Sequence, residues 1–269
     1  EWDILANEWD SVQLAEWGLD VWENEDDKVT EGLIDDDEIP EVKESIVKRG
    51  DIWQLGEHRV MCGDSTSSDD VEKLMNGEKA DMVFTDPPYG MNLDTDYSKL
   101  PSTSKSGNKN YDKVLGDNTD FTPELITTIF QNFNYCKEIF IWGADYFAEY
   151  IENKNNGSWL VWDKRVEEKF DKMFGSAFEL CWSKNKHKRE IARFNNTLFS
   201  GEADARNKIH PTQKPLKMIE WCLGKWGAEK DLIADIYLGS GSTLIAAEKL
   251  NRKCYGMELD EKYCDVIIN

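Results

Sequence analysis

The chain has 269 residues, 40% hydrophobic, 12% aromatic and 32% charged, enough for one large core or for a domain with an appendage. No apolar run reaches the ~18 residues a membrane span needs and no signal-peptide pattern opens the chain, so neither membrane insertion nor export is expected. The net charge of −21 argues against a nucleic-acid partner until its distribution is considered: residues 1–50 hold 17 Asp and Glu against 4 Lys and Arg, or −13, leaving −8 on the other 219.

In residues 1–20, Trp2, Leu5, Trp9, Val12, Leu14 and Trp17 recur three to four residues apart between acids, the pattern of an amphipathic helix or helix pair whose apolar face needs a partner. Residues 23–44 are acidic and without periodicity, which predicts a linker, with a short helix near Val42 to Val47. The division expected is an acidic, Trp-rich helical segment and linker over 1–49 and a folded domain over 50–269. Glu1 opens the chain in place of Met and Asn269 closes it inside an apolar run, which points to a piece of a longer protein. Cys62, Cys136, Cys181, Cys222, Cys254 and Cys264 lack CxxC spacing and suit a reducing cytoplasm better than disulfides. With only three histidines, no metal site is expected.

From Gly50 strand and helix patterns alternate. Ile52 to Leu55 and His58 to Cys62 read as short strands, Gly63-Asp64-Ser65 as the cap of a helix around Val71 to Leu74, and Met82 to Phe84 as a buried strand. Residues 91–120 are rich in Ser, Asn, Lys and Asp with little apolar content, a length that inside a domain suggests a lid or binding loop, or else disorder. Pro123 to Tyr135 predicts a helix, Glu138 to Trp142 a strand, Asp145 to Asn153 a helix and Ser158 to Trp162 a strand. Phe178 to Ser183 and Ile191 to Phe194 suggest a hairpin with basic residues in its turn, and Leu216 to Trp226 an amphipathic helix. The sum is an α/β fold with a mostly parallel twisted sheet and an antiparallel hairpin.

Three segments carry chemistry. Asp86-Pro87-Pro88-Tyr89-Gly90 closes the strand begun at Met82, which puts Asp86 at a carboxyl end, where open α/β sheets bind ligands. The two prolines stiffen the loop and turn its carbonyls outward, with Tyr89 as a stacking plate; alone, the segment is as well read as a Pro-rich turn. His210-Pro211-Thr212-Gln213-Lys214-Pro215 reads by itself as helix entry, with His210 a surface or capping residue. Asp231 to Asp235, the Gly239-Ser240-Gly241 turn, a helix over Leu244 to Leu250 and a strand ending at Glu258 follow the logic of a nucleoside-binding βαβ unit, in which Glu258 can take both ribose hydroxyls. The third glycine of a dinucleotide fingerprint and the lysine of a P-loop are absent, and alone the unit fits a structural role or another nucleotide equally.

Together, D-P-P-Y-G, H-P-T-Q-K-P and D-x-Y-x-G-S-G-S-T with G-x-E-x-D resemble the β class of S-adenosylmethionine-dependent DNA amino methyltransferases, in which the catalytic half precedes the cofactor half. The resemblance covers Gly50 to the end and implies a circularly permuted, Rossmann-like methyltransferase fold. It implies that Asp86, Pro87, Pro88 and Tyr89 form the catalytic loop. Gly239, Ser240 and Gly241 match the cofactor loop, with Asp235 before it, Tyr237 inside it, and Glu258 as the ribose ligand. His210, Thr212 and Lys214 match the segment that approaches the methionine end of the cofactor, and Asp64 the acid at its adenine. Ile236, Tyr237 and Ser242 depart from the usual Pro, Phe and Thr without changing size or polarity much.

The resemblance implies methylation of N6 of a flipped adenine in double-stranded DNA, leaving S-adenosylhomocysteine. A leading Asp favours adenine and a leading Ser cytosine, so N4 of cytosine stays as the alternative, beside a catalytically silent DNA-binding subunit of a modification complex. An exocyclic amino group is a weak nucleophile because its lone pair is delocalised. Accepting its two N–H bonds at Asp86 and the Pro87 carbonyl returns density to nitrogen. Lys184 to Lys217 hold nine Lys and Arg against three acids, a local +6, and Lys184, Lys186, Lys188, Arg189 and Arg193 are the expected phosphate contacts. The segment before His210 is too short for a large recognition domain, so the target is expected to be read loosely or by a module outside the chain. The Trp-rich opening resembles the region that joins a ParB-like domain to a methylase in phage-type modification proteins. Besides DNA, a second copy of the chain or a preceding domain is the partner to consider. The resemblance implies a bacterial or phage-encoded restriction-modification enzyme, cytoplasmic and nucleoid-associated.

Overall fold

The computed structural model describes residues 45–90, 121–165, 176–194 and 213–269. The expectations for residues 1–44, for the 91–120 loop and for His210, Pro211 and Thr212 lie outside the described residues. The strands are β1 (Ile52–Leu55), β2 (His58–Cys62), β3 (Met82–Thr85), β4 (Glu138–Trp142), β5 (Ser158–Asp163), β6 (Phe178–Ser183), β7 (Ile191–Arg193), β8 (Leu232–Asp235) and β9 (Lys253–Glu258). The helices are α1 (Ser68–Met75), α2 (Glu124–Phe133), α3 (Leu216–Trp226), α4 (Ser242–Lys249) and α5 (Glu261–Ile268).

Among the described residues one sheet holds nine strands in the order β1-β2-β9-β8-β3-β4-β6-β5-β7. From β2 to β4 the pairs are parallel, so five strands deliver their carboxyl ends to one edge. β1 and β2 form an antiparallel hairpin, and β6 runs antiparallel to both β4 and β5. β3 and β4 are buried along their whole length, as expected of central strands covered on both faces. Alternate residues divide between two cores. Val83, Ile139, Ile141 and Ala234 join Leu74 of α1 and Ile126, Ile129 and Phe133 of α2. Met82, Phe84, Phe140 and Ile233 join Met218, Ile219 and Cys222 of α3 and Ala246 and Ala247 of α4. This two-sided covering is that of a Rossmann-like α/β fold. No helix among the described residues is long and apolar enough to cross a membrane.

Four expectations are corrected. Phe178–Ser183 and Ile191–Arg193 do not form a hairpin: both edges of β6 are taken, by β4 and β5, so β7 joins the free edge of β5 in parallel. Asp145 to Asn153 is not an α-helix. Phe147 and Ile151 are buried at helical spacing, but Ile151 is extended and Asn153 left-handed, and only short 3-10 turns form at Ala148–Tyr150 and Lys154–Asn156. The cap of α1 is Ser67, whose hydroxyl accepts from the Asp70 N–H, not the Gly63–Ser65 run. No helix includes Ser45 to Val47: the Ile46 and Val47 N–H groups donate to Asp265 Oδ1 of α5 at 3.1 Å each, and Val47 is buried against Cys62 and Cys264. Residues 45–49 therefore pack on the body that the sequence reading begins at 50.

Candidate active site

The carboxyl edge of the sheet collects the acids. Asp235 ends β8, Glu258 ends β9 and Asp86 follows β3. Thr85 Oγ1 donates to Asp235 Oδ1 at 2.8 Å, which ties the β3 end to the β8 end. The Gly239 N–H donates to Glu258 Oε2 and the Asp260 N–H to Oε1, both at 2.8 Å. Gly239 and Gly241 sit at φ 57° and 90°, which favours glycine over any residue with a Cβ. A Cβ at Gly239 would meet nothing within 4 Å, so the space above the turn is open. Burial pushes Asp235 up to about 6 and, despite the backbone N–H groups of Asp260, Gly239 and Leu259, Glu258 up to about 7.

Asp86 is held from two sides. The Tyr89 hydroxyl donates to Oδ1 at 2.5 Å and Lys214 Nζ donates to Oδ2. Lys214 is buried, at 7% exposure, with its ammonium 3.1 Å from Glu179 Oε2, and Lys164 Nζ donates to Glu179 Oε1. The result is an alternating row, Lys164, Glu179, Lys214, Asp86, Tyr89, walled by Trp142 and Trp162, whose ring centroids lie 5.8 and 5.9 Å from Lys214 Nζ. Burial opposes charge on Glu179, but the two ammoniums outweigh it and hold the carboxyl at about 2. Burial and Glu179 raise the Asp86 carboxyl against the pull of Lys214. Burial lifts the Tyr89 phenol far above its ordinary value, so it remains a donor. The Tyr89 ring rests over Gly143, which is at φ 63°, and stacks on Tyr146 with centroids 4.9 Å apart.

The family model for DNA methylases matches residues 132–269. The chain belongs to the DNA methylase family. It is similar to the type II methyltransferase M.BglII of Bacillus subtilis, 35% identical over 81 residues, a match that spans 30% of this chain and 22% of that relative. Against the type II methyltransferase M.HpaI of Haemophilus parainfluenzae it is 23% identical over 244 residues, 78% of this chain and 73% of the relative. Among solved structures, the M1.HpyAVI–SAM complex matches 78% of this chain and 97% of its own at 20% identity, with a TM-score of 0.47.

In this methylase Asp86, Tyr89, Asp235, Gly239 and Glu258 do meet at one edge. Lys214, matched by resemblance to the cofactor's methionine end, bonds Asp86 instead. Asp64 Oδ1 is taken by Thr66, from its N–H at 2.9 Å and its hydroxyl at 2.7 Å, and the Tyr237 hydroxyl donates to the Leu125 carbonyl at 2.9 Å. The basic strip is split, contrary to expectation. β6 runs away from the carboxyl edge, so Lys184, Lys186, Lys188 and Arg189 follow it at the opposite edge of the methylase sheet. There Lys184 Nζ donates to the Asn134 and Cys136 carbonyls and Lys186 Nζ to that of Asn155. Of the five, Arg193 alone returns to the Asp86 edge, at the end of β7, 3.9 Å from Asp163. Glu179, Lys164, Thr85 and Gly143 escaped the sequence reading. Glu179 did leave a signal, a lone acid inside the apolar run Phe178–Ser183, which must find a cation if buried.

Proposed function

We propose that this DNA methylase transfers the methyl group of S-adenosylmethionine to N6 of an adenine flipped out of double-stranded DNA. The observation that carries the reading is the placement of Asp86, one residue beyond the Thr85 bond to Asp235 and so beside the Gly239 turn. The residues there suit the cofactor. Glu258, half-buried and held by backbone N–H groups that include those of Gly239 and Asp260, keeps lone pairs for ribose hydroxyls. The open, left-handed Gly239 allows close approach of a nucleoside. When bound, S-adenosylmethionine supplies an electrophilic methyl and leaves as S-adenosylhomocysteine.

The chain's own residues then orient and activate the base. Asp86 Oδ1 exchanges the Tyr89 hydroxyl for one amino N–H, and the Pro87 carbonyl takes the other. Tyr89, released from Asp86, stacks on the base, at roughly 1–3 kcal/mol, against a flipping cost of a few kcal/mol. Alignment of the nitrogen with the methyl is worth roughly 7–11 kcal/mol and needs no covalent intermediate. The raised Asp86 carboxyl is the acceptor for the proton that nitrogen sheds.

Asp at the head of the motif supports adenine over cytosine. Nucleoside mass spectrometry of DNA treated with the protein and S-adenosylmethionine is expected to show N6-methyldeoxyadenosine. N4-methyldeoxycytidine as sole product would reassign the base, and no methylated nucleoside at all would favour a silent subunit.

A further inference from the structure

We propose that Glu179 is a positioning residue for methyl transfer, acting on Asp86 through Lys214. The inference rests on the reading of Asp86 given above and adds residues that no motif of the chain contains. Lys214 precedes α3. Its ammonium is placed by two carboxylates from different strands, Asp86 after β3 and Glu179 in β6. Glu179 Oε2 lies 3.1 Å from that ammonium and, among the described residues, makes no hydrogen bond of good geometry, so charge ties it there. Its other oxygen is anchored by Lys164, whose amine lies 5.0 Å from the Trp162 ring centroid. Trp142 and Trp162 are buried, so little water competes for these charges and their attraction is strong.

The groups that face Asp86 are Tyr89 on its own loop, Lys214 before α3, Glu179 in β6 and, one strand away, Asp235 of β8. Lys214 occupies Oδ2 and fixes the plane of the carboxylate, so only Oδ1 is left to trade the Tyr89 hydroxyl for the target amino group. Glu179 keeps Lys214 from swinging onto Oδ1 or out of the cluster. Lys164 neutralises the second acid, which leaves Lys164, Glu179, Lys214 and Asp86 with no net charge to bury.

Two effects separate this role from mere structural support. Glu179→Gln removes both the pull on Lys214 and the repulsion on Asp86. The single-turnover methylation rate at its plateau should fall about tenfold, while the acid limb of the pH–rate profile moves to lower pH by about one unit. Lys214→Met should move the same limb to higher pH. Glu179→Asp keeps the charge but retracts it, so the rate falls with the limb in place; it serves if the Gln variant does not fold. Affinity of Glu179→Gln for S-adenosylmethionine, by calorimetry, should stay within about twofold of the parent. A limb that stays put in folded Glu179→Gln and Lys214→Met, or an unchanged rate in Glu179→Gln, overturns the assignment. Asp86→Asn run alongside should bind S-adenosylmethionine and transfer nothing. Transfer that persists in it would overturn the reading of Asp86 and this inference together, whereas failure of the Glu179 arms alone leaves that reading standing.

Discussion

The ring of Tyr89 lies against the backbone of Gly143: a Cβ added to Gly143 would stand 2.1 Å from Tyr89 Cε1 and 2.5 Å from its hydroxyl oxygen. The loop after β3 and the turn after β4 are thus fitted to each other, and the fit sets where the phenol meets Asp86.

Replacing Gly143 by Ala should therefore strike catalysis from a residue with no reactive group. A contact that short forces the ring away from Asp86, and φ 63° adds strain of its own. Methylation should drop about 100-fold, the scale of a misplacement near 1 Å, with S-adenosylmethionine affinity retained. Parent-like turnover would mean that Tyr89 works from another position.

Glu258 makes stability and cofactor affinity run in opposite directions with pH. Its carboxyl sits at about 7 when folded against 4.5 when free, so between those values the folded state holds a proton the unfolded chain has released. Stability from this group is full below about 4.5 and is lost as pH rises through about 7. Asp235 acts the same way up to about 6 and cancels in a comparison of variants. Urea midpoints of the parent should decline from pH 5 to pH 8 relative to Glu258→Gln. Affinity for S-adenosylmethionine should instead rise over that range in the parent, because ribose hydroxyls donate to the ionised carboxylate, and stay flat in Glu258→Gln. Parallel urea curves would show that Glu258 is not shifted.

Asp265 is the anchor for the segment before β1. Asp265→Ala strips the acceptor from the buried Val47 N–H and from that of Ile46, at a cost of about 2–4 kcal/mol by chemical denaturation. Deleting residues 1–44 should spare this contact and the fold; deleting 1–49 should lower stability by a similar amount. Equal stability of the two truncations would deny residues 45–49 a part in the domain.

Duplex DNA should sense only the carboxyl edge. Arg193→Ala is expected to flatten the slope of log K against log salt by about 0.9, one phosphate's share. Lys184→Ala and Lys186→Ala should leave the slope unchanged. Flattening by either lysine would carry the DNA path around to the amino edge.

Most strands were legible because a buried strand is a short apolar run between turn residues, whatever it pairs with. Pairing was not legible in the same way. Phe178–Ser183 and Ile191–Arg193 both read as strands, but that β6 has no free edge depends on β4 and β5, which lie elsewhere in the chain. The site divides along the same line. Asp86, Gly239 and Glu258 announce themselves through local turn and strand-end chemistry. The pairing of Lys214 with Glu179 and Asp86 does not, because a buried ammonium is explained by the acids around it, and these come from β6 and the end of β3. The helix at Ser242–Lys249 was visible in its apolar spacing, while Glu261–Ile268 was hidden in a run read as the chain's apolar end.

β2 and β3 are neighbours in the chain, yet the sheet separates them by β9 and β8, which come last among the described strands. Until those strands emerge, β2 and β3 each present an unpaired backbone edge, and the acids that face one another in the finished site are not yet on the same body. Assembly must then thread a late βαβ unit into an existing gap, a non-local step that slows folding and leaves apolar edges open to other chains. On a ribosome, a chain stopped before Glu258 holds the whole Asp86 loop without the β9 strand end that stands on the same sheet edge, and its unpaired strand edges are open to other chains.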